Sequence, residues 1–95
     1  MKDENALLIE YTTLFNKQRK VAPLEIKIAF KEARELFLEN PTHPHLRNHA
    51  LRKKFAGYRS IDITGDWRAL FKVKESKMKT VITFHVLGTH TQLYR

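Results

Sequence analysis

The apolar positions of the first forty residues predict one strand and two helices. Between residues 23 and 40, apolar residues recur at three- and four-residue spacing, the period of one buried helix face: Ile26, Ala29, Phe30, Ala33, Leu36 and Phe37. Pro23 suits the first position of this helix, and Asn40-Pro41 ends it. Residues 6–11 form a short apolar segment that we expect to be a strand, and residues 12–20 predict a short helix.

The second half of the chain predicts three strands. Residues 41–56 break every periodicity with two prolines, and we expect a loop there, with at most a turn of helix. Runs rich in β-branched and aromatic residues follow at 58–64, 67–74 and 80–87, and short turns join them into an antiparallel meander. The order β-α-α-β-β-β predicts one compact α+β domain over residues 1–95, with two N-terminal helices packed on one face of a small antiparallel sheet.

The positive charge of the chain is concentrated in its second half. Eighteen Lys and Arg against ten Asp and Glu give a net charge of +8. Residues 1–40 hold seven bases and seven acids, whereas residues 41–95 hold eleven bases, three acids and all five histidines. A basic surface that served only solubility would have its bases spread evenly. The asymmetry therefore indicates a face for a polyanion, and nucleic acid is the leading partner.

Composition also narrows the class of protein. The chain has no cysteine, so we expect neither a disulfide framework nor a thiolate metal site. The apolar run at residues 6–9 is too short for a secretory signal or a membrane span, which predicts a cytoplasmic protein with no membrane partner. His43, His45 and His49 could suggest zinc, but a fourth ligand and a helical face to align them are missing. We expect no metal and no cofactor.

Three segments of the basic half, taken in order, resemble the RelE superfamily of bacterial toxins. They are RNHAL around His49, GYRSIDITGDWRALFKV from Gly57, and TFHVLGTHTQLY from Thr83. The similarity is closest to the YafQ-type branch, where a histidine precedes a GYR segment, an aspartate–tryptophan pair starts the next strand, and GTH leads into an aromatic residue. These motifs cover about residues 45–94, and the element order extends the resemblance over the whole chain.

The resemblance implies a RelE-like fold and the toxin of a type II toxin–antitoxin system. Such toxins are ribosome-dependent endoribonucleases that cut messenger RNA in the decoding site. A cognate antitoxin protein holds them inactive, and we expect contact with DNA only through that antitoxin. By position, His49, Asp66 and His90 match catalytic residues of the family. Arg68 falls where the RelE branch has a functional arginine, and Arg59 falls near a lysine of that branch.

These residue types suit RNA cleavage without a metal. The reaction needs a base for the ribose 2′-OH, an acid for the departing 5′-oxygen and cations for the charge on the phosphorane. We interpret His90 as the general acid and either Asp66 or His49 as the general base. Arg68, supported by Arg59, would stabilise the phosphate.

Further candidates are residues that would bind the substrate. By position, Trp67 matches the family's tryptophan beside the catalytic aspartate, and Tyr94 matches its terminal aromatic, so both would position an unpaired base. Lys53 and Lys54 would follow the RNA backbone. Each has an ordinary alternative: Trp67 in the core, Tyr94 packed on the sheet edge, and the lysines in a hydrated basic loop.

Two positions depart from the family pattern. Asp62 stands where the YafQ branch has a histidine, and Val86 stands where it has an arginine near the scissile phosphate. Arg68 could replace that arginine from the neighbouring strand. If the last hairpin turn centres between residues 76 and 77, Arg68 lies opposite His85.

Two other classes of function stay open beside the nuclease. One is a catalytically inactive domain of the same fold that binds RNA, the ribosome or an antitoxin, which Asp62 and Val86 favour. The other is an interaction module whose basic face holds an acidic protein partner.

Overall fold

The computed structural model describes residues 6–94 and has the predicted α+β class and order of elements. Two additions are the short strand β2, which contains His49, and the short helix α3, which contains His90 and Tyr94. The elements are β1 (Ala6–Tyr11), α1 (Thr13–Val21), α2 (Leu24–Glu39), β2 (His49–Ala50), β3 (Arg59–Asp62), β4 (Trp67–Glu75), β5 (Lys79–Thr89) and α3 (His90–Tyr94), with single 3₁₀ turns at Pro44–Leu46 and Lys53–Phe55.

The five strands form one mixed sheet in the order β1-β5-β4-β3-β2. The last three strands make the predicted antiparallel meander, and β2 pairs antiparallel with β3. β1 differs from the prediction because it runs parallel to β5, from Ala6 opposite Lys79 to Tyr11 opposite Phe84. Parallel neighbours need a long crossover connection, and here nearly the whole chain between the two strands supplies it.

Helices α1 and α2 cover one face of the sheet, and aromatic side chains fill the space between. Phe84 of β5 is fully buried at the centre of this core. Its ring lies 5.5 Å from that of Phe15 in α1, 5.3 Å from that of Phe30 in α2 and 5.5 Å from that of Phe71 in β4, between ring centroids. The helical periodicity of residues 23–40 therefore buries the face that the sequence predicts.

Polar side chains of the first helix complete the hydrogen bonding of β5 beyond the end of β1. The Thr12 hydroxyl accepts a 3.0 Å hydrogen bond from the Phe15 N–H, which caps α1, and donates a 3.0 Å bond to the His85 carbonyl. The Gln18 side-chain oxygen accepts a 2.8 Å bond from the Leu87 N–H. These bonds hold α1 against the stretch of β5 that precedes α3.

A β-bulge sets the register between β4 and β5. Leu70 pairs with Val86 but Phe71 pairs with Phe84, so His85 is the extra residue. The expected pairing of Arg68 with His85 was wrong, because the turn lies one residue further along and the bulge adds another shift. Arg68 lies opposite Gly88.

The strand registers place several polar residues on the sheet face away from α1 and α2, called here the open face. Ile61 and Ala69 are paired and belong to the helix-side core. Side chains alternate along a strand, so the neighbouring pair of Asp62 and Arg68 projects from the open face. His49 pairs with Ser60 and shares that face. No helix among residues 6–94 is long and apolar enough to cross a membrane.

Candidate active site

A shallow pocket of about 240 Å³ lies on the open face, between β2, the β3–β4 pair and α3. Four of the residues predicted from the sequence come together in it: His49, Arg68, His90 and Tyr94. The complete lining is Arg47, His49, Leu51, Asp62, Arg68, His90 and Tyr94. The pocket therefore combines two imidazoles, two guanidinium groups, one carboxylate and one phenol ring.

Arg68 is held in the pocket by fixed partners. Its Nε lies 3.1 Å from Oδ1 of Asp62, and both side chains are only 14% exposed. Its Nη1 donates to the carbonyl oxygens of Thr64, Gly65 and Trp67 at 3.1 Å each. These contacts fix the orientation of the guanidinium group, so it is preorganised to meet an anion.

Asp62 also attracts a second arginine. The Arg47 Nε lies 3.5 Å from the other carboxylate oxygen of Asp62, and the Arg47 side chain is 73% exposed. Arg47 adopts a left-handed backbone conformation (φ 48°) at the end of the first 3₁₀ turn, which directs the following residues toward β2. A carboxylate between two guanidinium groups leaves the group of three with a net positive charge.

The geometry of His49 defines which ring nitrogen is available. Its Nδ1 lies 2.7 Å from the Arg47 carbonyl oxygen. A carbonyl can only accept a hydrogen bond, so Nδ1 carries the hydrogen and donates. In the neutral ring Nε2 then holds the lone pair and can accept a proton.

His90 is the first residue of α3 and is fixed through its backbone. Its N–H donates a 2.8 Å hydrogen bond to the carbonyl oxygen of Asp66. Its exposed ring lies 4.7 Å from the ring of Tyr94, one helical turn further on. Asp66 thus orients His90 by its main chain, whereas its side chain is not part of the pocket lining.

The remaining predicted site residues lie elsewhere. Arg59 pairs with Phe71 on the other face of the sheet, and its Nε donates a 2.8 Å bond to the Asn48 side chain. Trp67 packs against the hydrophobic core, the ordinary alternative for a large aromatic. Lys53 and Lys54 are exposed in the second 3₁₀ turn, outside the pocket lining.

The sequence did not single out Arg47 or the pairing of Asp62 with Arg68. A base two residues before His49 is a weak signal, and a salt bridge between adjacent strands requires the register to be known. Val86, which stands where the YafQ branch has an arginine, borders a different cavity with Trp67. Arg68 lines the pocket and Val86 does not, so β4 supplies a cation that position 86 lacks.

A further histidine, His85 of β5, does not line the pocket. The His85 ring contacts the Tyr58 ring at 5.2 Å. Burial lowers the pKa of His85 below its usual value of 6.5, and the charge of Lys72 lowers it further. The neutral imidazole is thus the favoured form in the folded protein.

This lowered pKa predicts a pH-dependent stability. As pH falls below 6.5, the unfolded chain takes up a proton at His85 more readily than the folded one, so the free energy of unfolding decreases. In urea unfolding between pH 7.5 and pH 5, the wild type should lose more stability than a His85→Gln variant. His45→Gln, which changes an exposed histidine of the first 3₁₀ turn, is the control and should follow the wild type. Equal pH dependence of the wild type and His85→Gln would contradict the prediction.

Among residues 6–94, no three His, Asp or Glu side chains lie close enough together to hold a metal ion.

The fold has counterparts among solved structures. YafQ from E. coli is 25% identical with a TM-score of 0.75, over 92% of this chain and 97% of that one. The E. coli DinJ-YafQ toxin-antitoxin complex contains a chain that is 24% identical, with a TM-score of 0.72 and coverage of 92% and 96%. A YoeB/ParE toxin from Agrobacterium tumefaciens is 15% identical, with a TM-score of 0.72 and coverage of 87% and 98%. No family model and no curated protein matches the chain.

Proposed function

From the premise that this chain belongs by its fold to the RelE/YafQ superfamily of toxins, we propose that it is the toxin of a type II toxin–antitoxin system. In this proposal it is an endoribonuclease that acts in the cytoplasm on messenger RNA in the decoding site of the ribosome. The observation that carries the proposal is the meeting of two histidines with Arg68 and Tyr94 in one basic pocket. A similar chain occurs in the DinJ-YafQ complex, which supports an antitoxin as the second partner.

Two imidazoles can move both protons of the reaction. His49 Nε2 takes the proton of the ribose 2′-OH as O2′ attacks the adjacent phosphorus. His90 gives a proton to the 5′-oxygen as its bond to phosphorus breaks. The products are a 2′,3′-cyclic phosphate and a 5′-hydroxyl, and no metal is required in this scheme. His49 is preferred to Asp66 as the base because its Nδ1 is anchored within the pocket.

The two arginines and the tyrosine of the pocket would bind the RNA at the scissile bond. Arg68 meets the phosphorane, where a preorganised cation gains most from the charge that develops. Arg47 is exposed and can exchange Asp62 for a phosphate when RNA enters. Tyr94 stacks on a base next to the scissile bond.

A second candidate function is an inactive binding domain. Asp62 favours it, because its carboxylate already neutralises part of the charge of Arg68 and lies where a phosphate would approach. Such a domain would bind RNA, the ribosome or an antitoxin without cutting.

Induced expression in bacteria separates the two functions. The wild type should stop growth and create new messenger ends inside translated codons, whereas a His49→Ala/His90→Ala double variant should do neither while remaining soluble. His45→Ala changes a histidine outside the pocket and should behave as the wild type. Normal growth and intact messengers with soluble wild-type protein would reject the nuclease and favour the binding domain. Unchanged cuts in the double variant would reject the assigned pocket.

A further inference from the structure

A line of ring contacts leads from the pocket along the open face. The Tyr94 ring, 4.7 Å from that of His90, lies 5.9 Å from the ring of Phe55. Phe55 lies 5.9 Å from Tyr58, and Tyr58 lies 5.2 Å from His85. Of these residues, Phe55, Tyr58 and His85 do not line the pocket. The four rings of Tyr94, Phe55, Tyr58 and His85 are called here the aromatic row.

Two lysines accompany the aromatic row. The Lys72 Nζ lies 4.5 Å from the centre of the Tyr58 ring, and the Lys54 Nζ lies 5.2 Å from the centre of the Phe55 ring. Both lysines are exposed, and neither forms an ion pair with a residue that the structure describes. Within residues 6–94, no carboxylate therefore neutralises either charge by direct contact.

The rings of the aromatic row are more exposed to solvent than the rings of the hydrophobic core. Phe55, Tyr58 and His85 are each partly exposed, and Tyr94 is 36% exposed, in contrast to the fully buried Phe84 of the core. The lowered pKa of His85 keeps its ring neutral near neutral pH, so it offers an aromatic surface rather than another cation.

Exposed aromatic rings interleaved with cationic side chains form a surface that binds single-stranded nucleic acid. Unpaired bases stack on aromatic faces while the phosphates meet lysine or arginine. A base-paired strand has no free base faces to offer, so this arrangement discriminates against a duplex. The row begins at Tyr94, whose ring contacts that of His90. Its rings are therefore placed for nucleotides next to the RNA bond that is cut in the pocket.

We propose that the aromatic row, together with Lys54 and Lys72, is a binding track for the single-stranded RNA that flanks the scissile bond. This inference rests on the proposed function for the identity of the RNA as a messenger. The track extends the contact with RNA beyond the pocket, to side chains on the second 3₁₀ turn, β4 and β5.

Binding of an uncleavable probe tests the charged part of the track. The probe is a fluorescent eight-nucleotide uridine RNA in which every 2′-OH is methylated, so it cannot supply the attacking oxygen. Lys72→Gln should weaken binding about 3- to 10-fold and reduce the slope of log K against log salt by about 0.7, the loss of one phosphate contact. Lys31→Gln removes the same charge from an exposed position on α2 and should leave the affinity within about twofold and the slope unchanged. Equal effects of the two variants would overturn the proposal, because they would indicate general attraction by net charge.

Replacement of Tyr58 tests the stacking part. Tyr58→Leu keeps an apolar side chain but removes the ring, and should weaken binding of the RNA probe about 5- to 100-fold. Binding of inorganic polyphosphate, which has no bases, should stay unchanged. Tyr58→Phe keeps the ring and should bind the RNA probe as the wild type does. Thermal unfolding of each variant checks that the fold is intact, and a folded Tyr58→Leu variant with wild-type affinity would overturn the proposal.

The two proposals fail in different ways. Binding to the probe does not require cleavage, so a wild type that binds through the track but leaves messengers intact contradicts only the nuclease. A wild type that cuts messengers, with track variants that bind the probe normally, contradicts only the track.

Discussion

Replacing His90 with alanine is expected to lower the rate of messenger cleavage by about two to four orders of magnitude, the usual contribution of a general acid. The 5′-oxygen would then leave without a proton from the protein, while Arg68 and His49 stay in place because their partners do not involve the His90 ring. Single-turnover cleavage on programmed ribosomes measures this rate. Thr91→Ala changes the next exposed residue of α3 and serves as the control, with an expected loss of less than about threefold.

The pH profile distinguishes an acid from a structural residue. A reaction with one acid and one base has a bell-shaped dependence on pH, and loss of the acid removes the decline at high pH. The His90→Ala variant should therefore keep only the rise at low pH. A reduced rate with an unchanged bell would mean that His90 positions the substrate and that another group donates the proton.

Replacing Phe84 with alanine is expected to destabilise the protein by about 3–5 kcal/mol, the range for large-to-small changes of buried aromatics. Phe84 is 0% exposed and contacts aromatic rings from α1, α2 and the two neighbouring strands β1 and β4. A small domain has a total stability of about 5–15 kcal/mol, so this loss could leave the variant only marginally folded. Urea unfolding measures the difference.

A substitution at an exposed position of the edge strand β1 is the control, because it also removes apolar side-chain atoms but not from the core. Leu8 of β1 is 43% exposed, and Leu8→Ala should cost less than about 1 kcal/mol. A similar cost for Leu8→Ala and Phe84→Ala would contradict the aromatic core described for β5. If Phe84→Ala does not fold, Phe84→Leu should fold with an intermediate loss, because it leaves a smaller cavity.

The elements of the fold were predictable because their signals are local. The periodicity of α2 and the turns at residues 65–66 and 75–79 depend on neighbours within one or two turns of chain. The parallel pairing of β1 with β5 joins opposite ends of the sequence, and no local pattern specifies it. The turn lies one residue later than expected and the bulge at His85 adds a further shift inside the β4–β5 pair, so a register counted from the sequence placed Arg68 wrongly.

The sequence predicted which types of residue form the candidate site better than it predicted which residues contact one another. His49, Arg68, His90 and Tyr94 meet in the pocket, although they come from β2, β4 and α3. Trp67 and Arg59 were assigned by position in a motif, but strand alternation directs both to the helix side. The roles of all these residues stay predictions until variants are measured.

The parallel pairing of β1 with β5 bears on when the chain can fold during its own synthesis. Phe84 completes the core between the helices and the sheet, and β1 has no neighbour until residues 79–89 exist. The first helices therefore leave the ribosome with their apolar faces uncovered and must wait for residues 79–89. We expect vectorial synthesis to leave the growing chain without a formed pocket until β5 and α3 have been made.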